Sequence, residues 1–263
     1  MLRDKLVERH AAGPHEFRWR SREISRLEGL SDAVFAFAVT LLIVALEVPR
    51  TSGELLETMR GFISFALTFA LLYSLWYRHF VFFRRYGLED RMTAILNGVL
   101  LFVVLFFVFP LKFMFGALVD RLLGFGRMVR LEDGTLERAI EPQHMTFMLT
   151  IYGLGFAAVF GIFALLHMHA WRQRDELDLN ELERLDTLHA IRVFAYGAAL
   201  GLATVVYANA VGFAAGKPYE DTVVYAATAV LLACIVLLLR FRLRRRRARR
   251  ELVQRLTSGT TEG

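Results

Sequence analysis

Polar and apolar positions in this chain are sorted into long blocks and do not alternate at the spacing of a half-buried helix or strand. Six apolar blocks stand out: Ser31–Val48, Gly61–Phe83, Met92–Phe115, His144–Met168, Leu188–Phe213 and Thr222–Leu239. Each approaches or exceeds the roughly 20 residues that a helix needs to cross a hydrocarbon layer about 30 Å thick, so each predicts a membrane span. Pro49 ends the first block, because its ring nitrogen cannot donate the next helical hydrogen bond. The first block begins about thirty residues in, is too long for a signal-peptide core and has no small-residue cleavage site behind it, which predicts a retained helix. Short polar stretches, RRYGLEDR, WRQRDELDLNELERLDT and GKPYED, are expected as surface connections. The connection from Gly116 to Gln143 is longer. There VRLEDGTLER sets Asp133-Gly134 between short alternating runs, compatible with a type I′ hairpin or with an amphipathic helix. No internal repeat is visible, so the spans are expected to form one unit.

Composition sharpens this without changing it. Of 263 residues, 56% are hydrophobic and 23 are phenylalanine, which leaves no room for a sizeable soluble domain beside six spans. The expected fold class is therefore all-α: a polytopic membrane protein with six transmembrane helices spanning 31–239, a cytoplasmic N-terminal segment 1–30 and a basic cytoplasmic tail 240–263. Arginines gather before Ser31, in the second–third and fourth–fifth connections and from Arg240 onward, which places both termini in the cytoplasm. The tail RFRLRRRRARR is the kind of juxtamembrane cluster that attracts anionic lipid headgroups, and the net charge of +6 is read as facing the bilayer surface with no nucleic-acid partner. Cys234, the single cysteine, lies in an apolar block and is assigned to packing.

Polar residues inside the blocks carry the chemistry. Ser31 and Asp32 lie near the inner end of the first helix, Trp76 and His79 near that of the second, and Asn97 about one turn into the third. An ionisable group in lipid costs about 2.5 to 3.5 kcal/mol, so a cluster at one depth on three helices points to mutual pairing in the bundle interior. Simple capping of the first helix by Ser31 or Asp32 accounts for those two residues equally well. Other signals are weaker. TIYGLG differs in order from the TVGYG filter and lies within a helix. Gly197 and Gly201 form a small-xxx-small pattern suited to close helix approach. His167 and His169 face different sides of one helix and lack a third ligand, so no metal site or cofactor is expected. No nucleotide-binding or hydrolase motif is present, so an enzyme is not expected. Asp90, Arg91 and the acid-rich connection Asp175–Asp186 read as solvated surface.

One combination is more specific. Arg26, Leu30-Ser31-Asp32 and the run Ala33-Val34-Phe35-Ala36-Phe37-Ala38-Val39-Thr40-Leu41-Leu42-Ile43-Val44, followed by Trp76 with His79 and then Asn97, resembles the signature RxxxFSDGVFAxAxTLLxL of the transmembrane-protein-175 family of potassium channels. The match is close over the first three helices. The resemblance implies a six-helix subunit of a prokaryotic cell membrane, a homotetramer around four first helices, and potassium as the permeant ion. It also implies that Arg26, Ser31 and Asp32 knit the first helix to Trp76, His79 and Asn97. The pore-lining positions it carries over are Phe37, Thr40, Leu41 and Val44. Leu30 and Ala33 replace the usual phenylalanine and glycine, and Phe37 replaces the usual isoleucine or leucine of the constriction. The expected function is passive, modestly selective potassium conduction, with a proton-coupled secondary transporter and a non-conducting membrane scaffold as the alternatives.

Overall fold

The computed structural model describes residues 17–21, 23–44, 51–122, 128–130, 136–138 and 144–215. They form α1 (Arg26–Val44), α2 (Ser52–Tyr86), α3 (Arg91–Leu122), β1 (Met128–Arg130), β2 (Leu136–Arg138), α4 (Met145–Arg172) and α5 (Glu181–Ala215). The sixth block and the basic tail lie outside the described residues. Four of these helices, α1, α3, α4 and α5, are long and apolar enough to cross a membrane. The 35-residue α2 also has the length, about 50 Å at 1.5 Å per residue, although its polar residues dilute its apolar character. Helices α2 and α5 start earlier than the apolar blocks suggest, at Ser52 and Glu181 in place of Gly61 and Leu188. Apolar runs mark only the part that meets hydrocarbon, whereas a helix continues for as long as its backbone bonds are made and its ends are capped.

Consecutive helices run up and down, so the start of α1, the end of α2, the start of α3, the end of α4 and the start of α5 meet at one end of the bundle, here called the basal end. Three caps define it. Ser25 and Glu28 form a reciprocal capping box: the Glu28 amide donates to Ser25 Oγ at 3.1 Å and the Ser25 amide to Glu28 Oε2 at 2.9 Å. Asp90 accepts from the amides of Met92 and Thr93 at 2.8 and 3.1 Å, starting α3. Asn180 and Glu183 repeat the box at α5, with bonds of 2.9 and 3.1 Å. Gly87, at a φ of 60°, turns the chain out of α2 in a conformation that residues with a Cβ rarely hold.

The tightest packing is between α4 and α5. A Cβ on Gly201 would lie 2.7 Å from both the Gly153 carbonyl oxygen and the Ala157 amide nitrogen, and one on Gly197 would overlap the Phe160 ring. The small-xxx-small spacing thus brings the α5 backbone against α4. Gly201→Ala is expected to push the pair apart and lower stability by about 2 to 3 kcal/mol, read as a fall in thermal unfolding temperature in detergent. Elsewhere α1 packs through a single stripe, Ser31, Phe35, Ala38 and Leu42, all buried.

In the long connection, β1 and β2 pair antiparallel with Met128 opposite Arg138 and Arg130 opposite Leu136, so the hairpin reading holds and the helix reading does not. The turn itself, with Asp133-Gly134, lies outside the described residues.

Candidate ion pathway and its supporting network

Three helices meet at a buried polar triad near the basal end. Asn97 Nδ2 of α3 donates to Ser31 Oγ of α1 at 2.9 Å, and Ser31 Oγ in turn donates to the Leu27 carbonyl at 2.7 Å. Asn97 Oδ1 lies 2.8 Å from His79 Nε2 of α2. A carboxamide oxygen only accepts, so His79 is assigned the tautomer with its proton on Nε2. All three side chains are essentially inaccessible to solvent, and Phe83 stacks obliquely on the imidazole at 4.6 Å. Beside the triad Trp76 Nε1 donates to Asp32 Oδ1 at 2.7 Å, on the exposed flank of α1.

The six residues expected to form one network therefore divide into a triad, Ser31–Asn97–His79, and a pair, Asp32–Trp76. Arg26 joins neither: it is exposed and makes no hydrogen bond or ion pair among the described residues. The basic partner at this corner is Arg84, whose Nε lies 3.8 Å from Glu28 Oε1. Sequence reasoning missed Glu28, although the Ser25-x-x-Glu28 spacing just before an apolar run is a capping-box signal.

Among the described residues, the face of α1 opposite its packed stripe is exposed. Arg26, Leu30, Ala33, Phe37, Thr40 and Val44 are all exposed, with Phe37 at 56% and Val44 at 73%, while Leu41 is half-buried at the margin. The steps between the six are four, three, four, three and four residues, the spacing of a seam between copies of a helix. Thr40 Oγ1 donates its proton to the Ala36 carbonyl at 3.0 Å. That bond turns the oxygen lone pairs of the hydroxyl away from its own helix, so Thr40 can act toward a passing group only as an acceptor.

Two acids read as solvated surface belong to the basal framework. Asp90 accepts from Thr93 Oγ1 at 2.8 Å and meets His169 Nε2 of α4 at 2.9 Å, joining α3 to α4. Glu183 is 1% exposed and takes both Arg18 and Arg20. A one-dimensional charge pattern carries no record of such partners. Partial burial opposes ionisation of Asp90, but the hydrogen bonds from His169 and Thr93 outweigh it and lower its pKa from 3.8 to about 2. Since the folded value lies below the unfolded one, the stabilisation is full above about pH 4 and is lost as pH falls through about 2. Asp90→Ala should cost about 1 kcal/mol at neutral pH and flatten this acid limb, as thermal unfolding from pH 2 to 6 would record. His167 bonds the Phe163 carbonyl, and no group of three metal-ligating side chains occurs among the described residues.

The sequence profile of the family described as endosomal/lysosomal potassium channel TMEM175 matches residues 26–107, from the first residue of α1 through the triad and well into α3. A potassium channel of Marivirga tractuosa is 40% identical over 177 residues, covering 66% of this chain and 70% of the relative. The chain belongs to the TMEM175 family. Two further relatives match shorter stretches: a potassium channel of Chamaesiphon minutus is 34% identical over 96 residues, 34% of this chain and 47% of that one. A potassium channel of Streptomyces collinus is 32% identical over 88 residues, 31% of this chain and 43% of that one. The crystal structure of a variant of the potassium channel MtTMEM175, bound to a nanobody–MBP fusion, superposes with a TM-score of 0.73 at 30% identity, covering 88% of this chain and 97% of that one. That of a lysosomal potassium-selective channel TMEM175 homologue from Chamaesiphon minutus gives 0.51 at 24% identity, covering 86% and 99%, and speaks to the fold alone. The TMEM175 profile ends within α3, so the matched part is the part that holds the triad and the α1 seam.

Proposed function

We propose that this chain is the subunit of a potassium-permeable channel in which four copies bring their α1 seams to a common axis, with the basal end and both termini in the cytoplasm. The observation that carries the reading is the 4-3-4-3-4 seam of α1, exposed among the described residues, in a chain of a potassium-channel family, on the face opposite the stripe that binds α1 to its own protomer. In that assembly Phe37 forms the narrowest, apolar ring, which gates by excluding water. Thr40 lies one turn beyond, and four hydroxyl oxygens there replace part of the water shell that a cation sheds. Leu41 and Val44 line the next apolar level. Partial replacement of the shell gives modest selectivity, and no cofactor enters. The basic tail 240–263 rests on anionic lipid.

Purified protein in liposomes should pass potassium down its gradient with no proton gradient imposed, and native mass measurement should give four subunits. Uptake that requires a proton gradient would assign a coupled transporter; absence of flux from a folded tetramer would assign a non-conducting scaffold. Thr40→Ala should shift the potassium-to-sodium permeability ratio at least twofold in bi-ionic flux, and an unchanged ratio removes Thr40 from selectivity.

A further inference from the structure

The segment Phe17–Ser21 is not helical, yet it is built into the basal end. Phe17 is buried against the edge of Tyr86 with ring centroids 5.4 Å apart, and the Arg85 guanidinium lies 4.8 Å from its ring centre. The Arg20 amide donates to the Arg84 carbonyl at 3.0 Å, extending the last turn of α2, and Arg20 Nε donates to the Leu177 carbonyl at 2.9 Å. The Glu183 carboxylate closes the strap. It accepts from the Arg18 amide at 2.8 Å, from Arg18 Nε and Nη2 at 3.2 and 3.1 Å and from Arg20 Nη2 at 2.7 Å, besides its capping bond to Asn180. Capping α5 needs only the Asn180 bond. Two guanidiniums on a nearly inaccessible carboxylate serve the strap.

From Ser21 only residues 22–25 separate the strap from α1, a reach of at most about 18 Å, so fixing the strap tethers the helix. Above that lie the triad and the Asp32–Trp76 bond, but in the first turn of α1 itself the hold is loose. Glu28 Oε1 and Arg84 Nε are buried without a hydrogen-bond partner, 3.8 Å apart. Arg84 links the two holds, since its Nη1 also reaches the Ser21 carbonyl at 3.3 Å.

We propose that Glu183 is a positioning residue for α1: by clamping Arg18 and Arg20 it fixes the strap and, through it, the basal end of the helix whose seam faces the pore. The pore role of α1 rests on the function proposed above, but the mechanical coupling does not. In a Cys234→Ala background, Leu30→Cys places a thiol on the exposed basal part of the seam, and its alkylation rate by a soluble maleimide reports the setting of α1. Glu183→Gln should change that rate at least threefold, and Glu183→Asp should restore it in part. A thiol at Ser52→Cys, exposed at the opposite end of α2, should be unaffected. Arg18→Ala, which leaves Arg20 and the α5 cap in place, carries the test should Glu183→Gln fail to fold, and should change the rate in the same direction. In liposomes the folded variants should alter potassium flux severalfold. Equal Leu30→Cys rates in all folded variants overturn the proposal; absence of flux in the parent overturns the channel reading and leaves the labelling result to decide this one.

Discussion

Phe37→Ala should raise potassium flux in liposomes by at least tenfold while leaving the unfolding temperature almost unchanged. In the proposed assembly four phenyl rings close the axis, and the barrier to a cation there is the free energy of stripping water in an apolar constriction. Truncating four rings to methyl groups widens and wets that level, and a drop of only about 1.4 kcal/mol in the barrier gives a factor of ten. The stability side of the prediction comes from placement. Phe37 is 56% exposed on the seam, outside the packed stripe of Phe35, Ala38 and Leu42, so its loss leaves no cavity within the protomer. Unchanged flux from folded tetramers would move the constriction elsewhere, to Leu41 or Val44.

Asn97→Leu should do the reverse: destroy stability before any question of conduction arises. The substitution strands the Nε2 proton of His79 and removes the donor to Ser31, both in a site closed to water. An unsatisfied buried group costs about 1 to 3 kcal/mol, so the loss of two partners approaches 3 to 5 kcal/mol, a large share of the total stability of a small domain. Ser31→Ala should be milder, because the Ser31 hydroxyl already spends its own proton on the Leu27 carbonyl. Thermal unfolding in detergent, alongside the yield of assembled protein, would rank the two. An Asn97→Leu protein as stable as the parent would mean that the triad contributes nothing.

The difference between these two residues was partly legible in sequence. Depth along successive spans brought Ser31, Asp32, Trp76, His79 and Asn97 to one layer, because a hydrophobic block has a countable length and helix rise is constant. Which of them would touch was not legible, since that depends on the rotation of each helix. Asp32 therefore parts from Ser31, its neighbour in sequence, and Arg26 turns toward the seam. The failure at Asp90 and Glu183 has a different origin. Charge runs look alike whether they face water or clamp a remote arginine, and the partner of Glu183 is the strap residue Arg18, distant in sequence. The capping boxes at Ser25-Arg26-Leu27-Glu28 and Asn180-Glu181-Leu182-Glu183 were the available clue, because an acid at the third helical position is already desolvated and ready to receive a second cation.

The contact of the Gly153 and Gly201 backbones has a mechanical consequence. Two main chains in direct touch have no intervening side chains that could change rotamer, so α4 and α5 are expected to travel as a rigid post. Any widening of a central passage must then be absorbed by tilting of α1 against α2 and α3, where a single row of side chains and a handful of polar bonds form the bearing on which the helix turns.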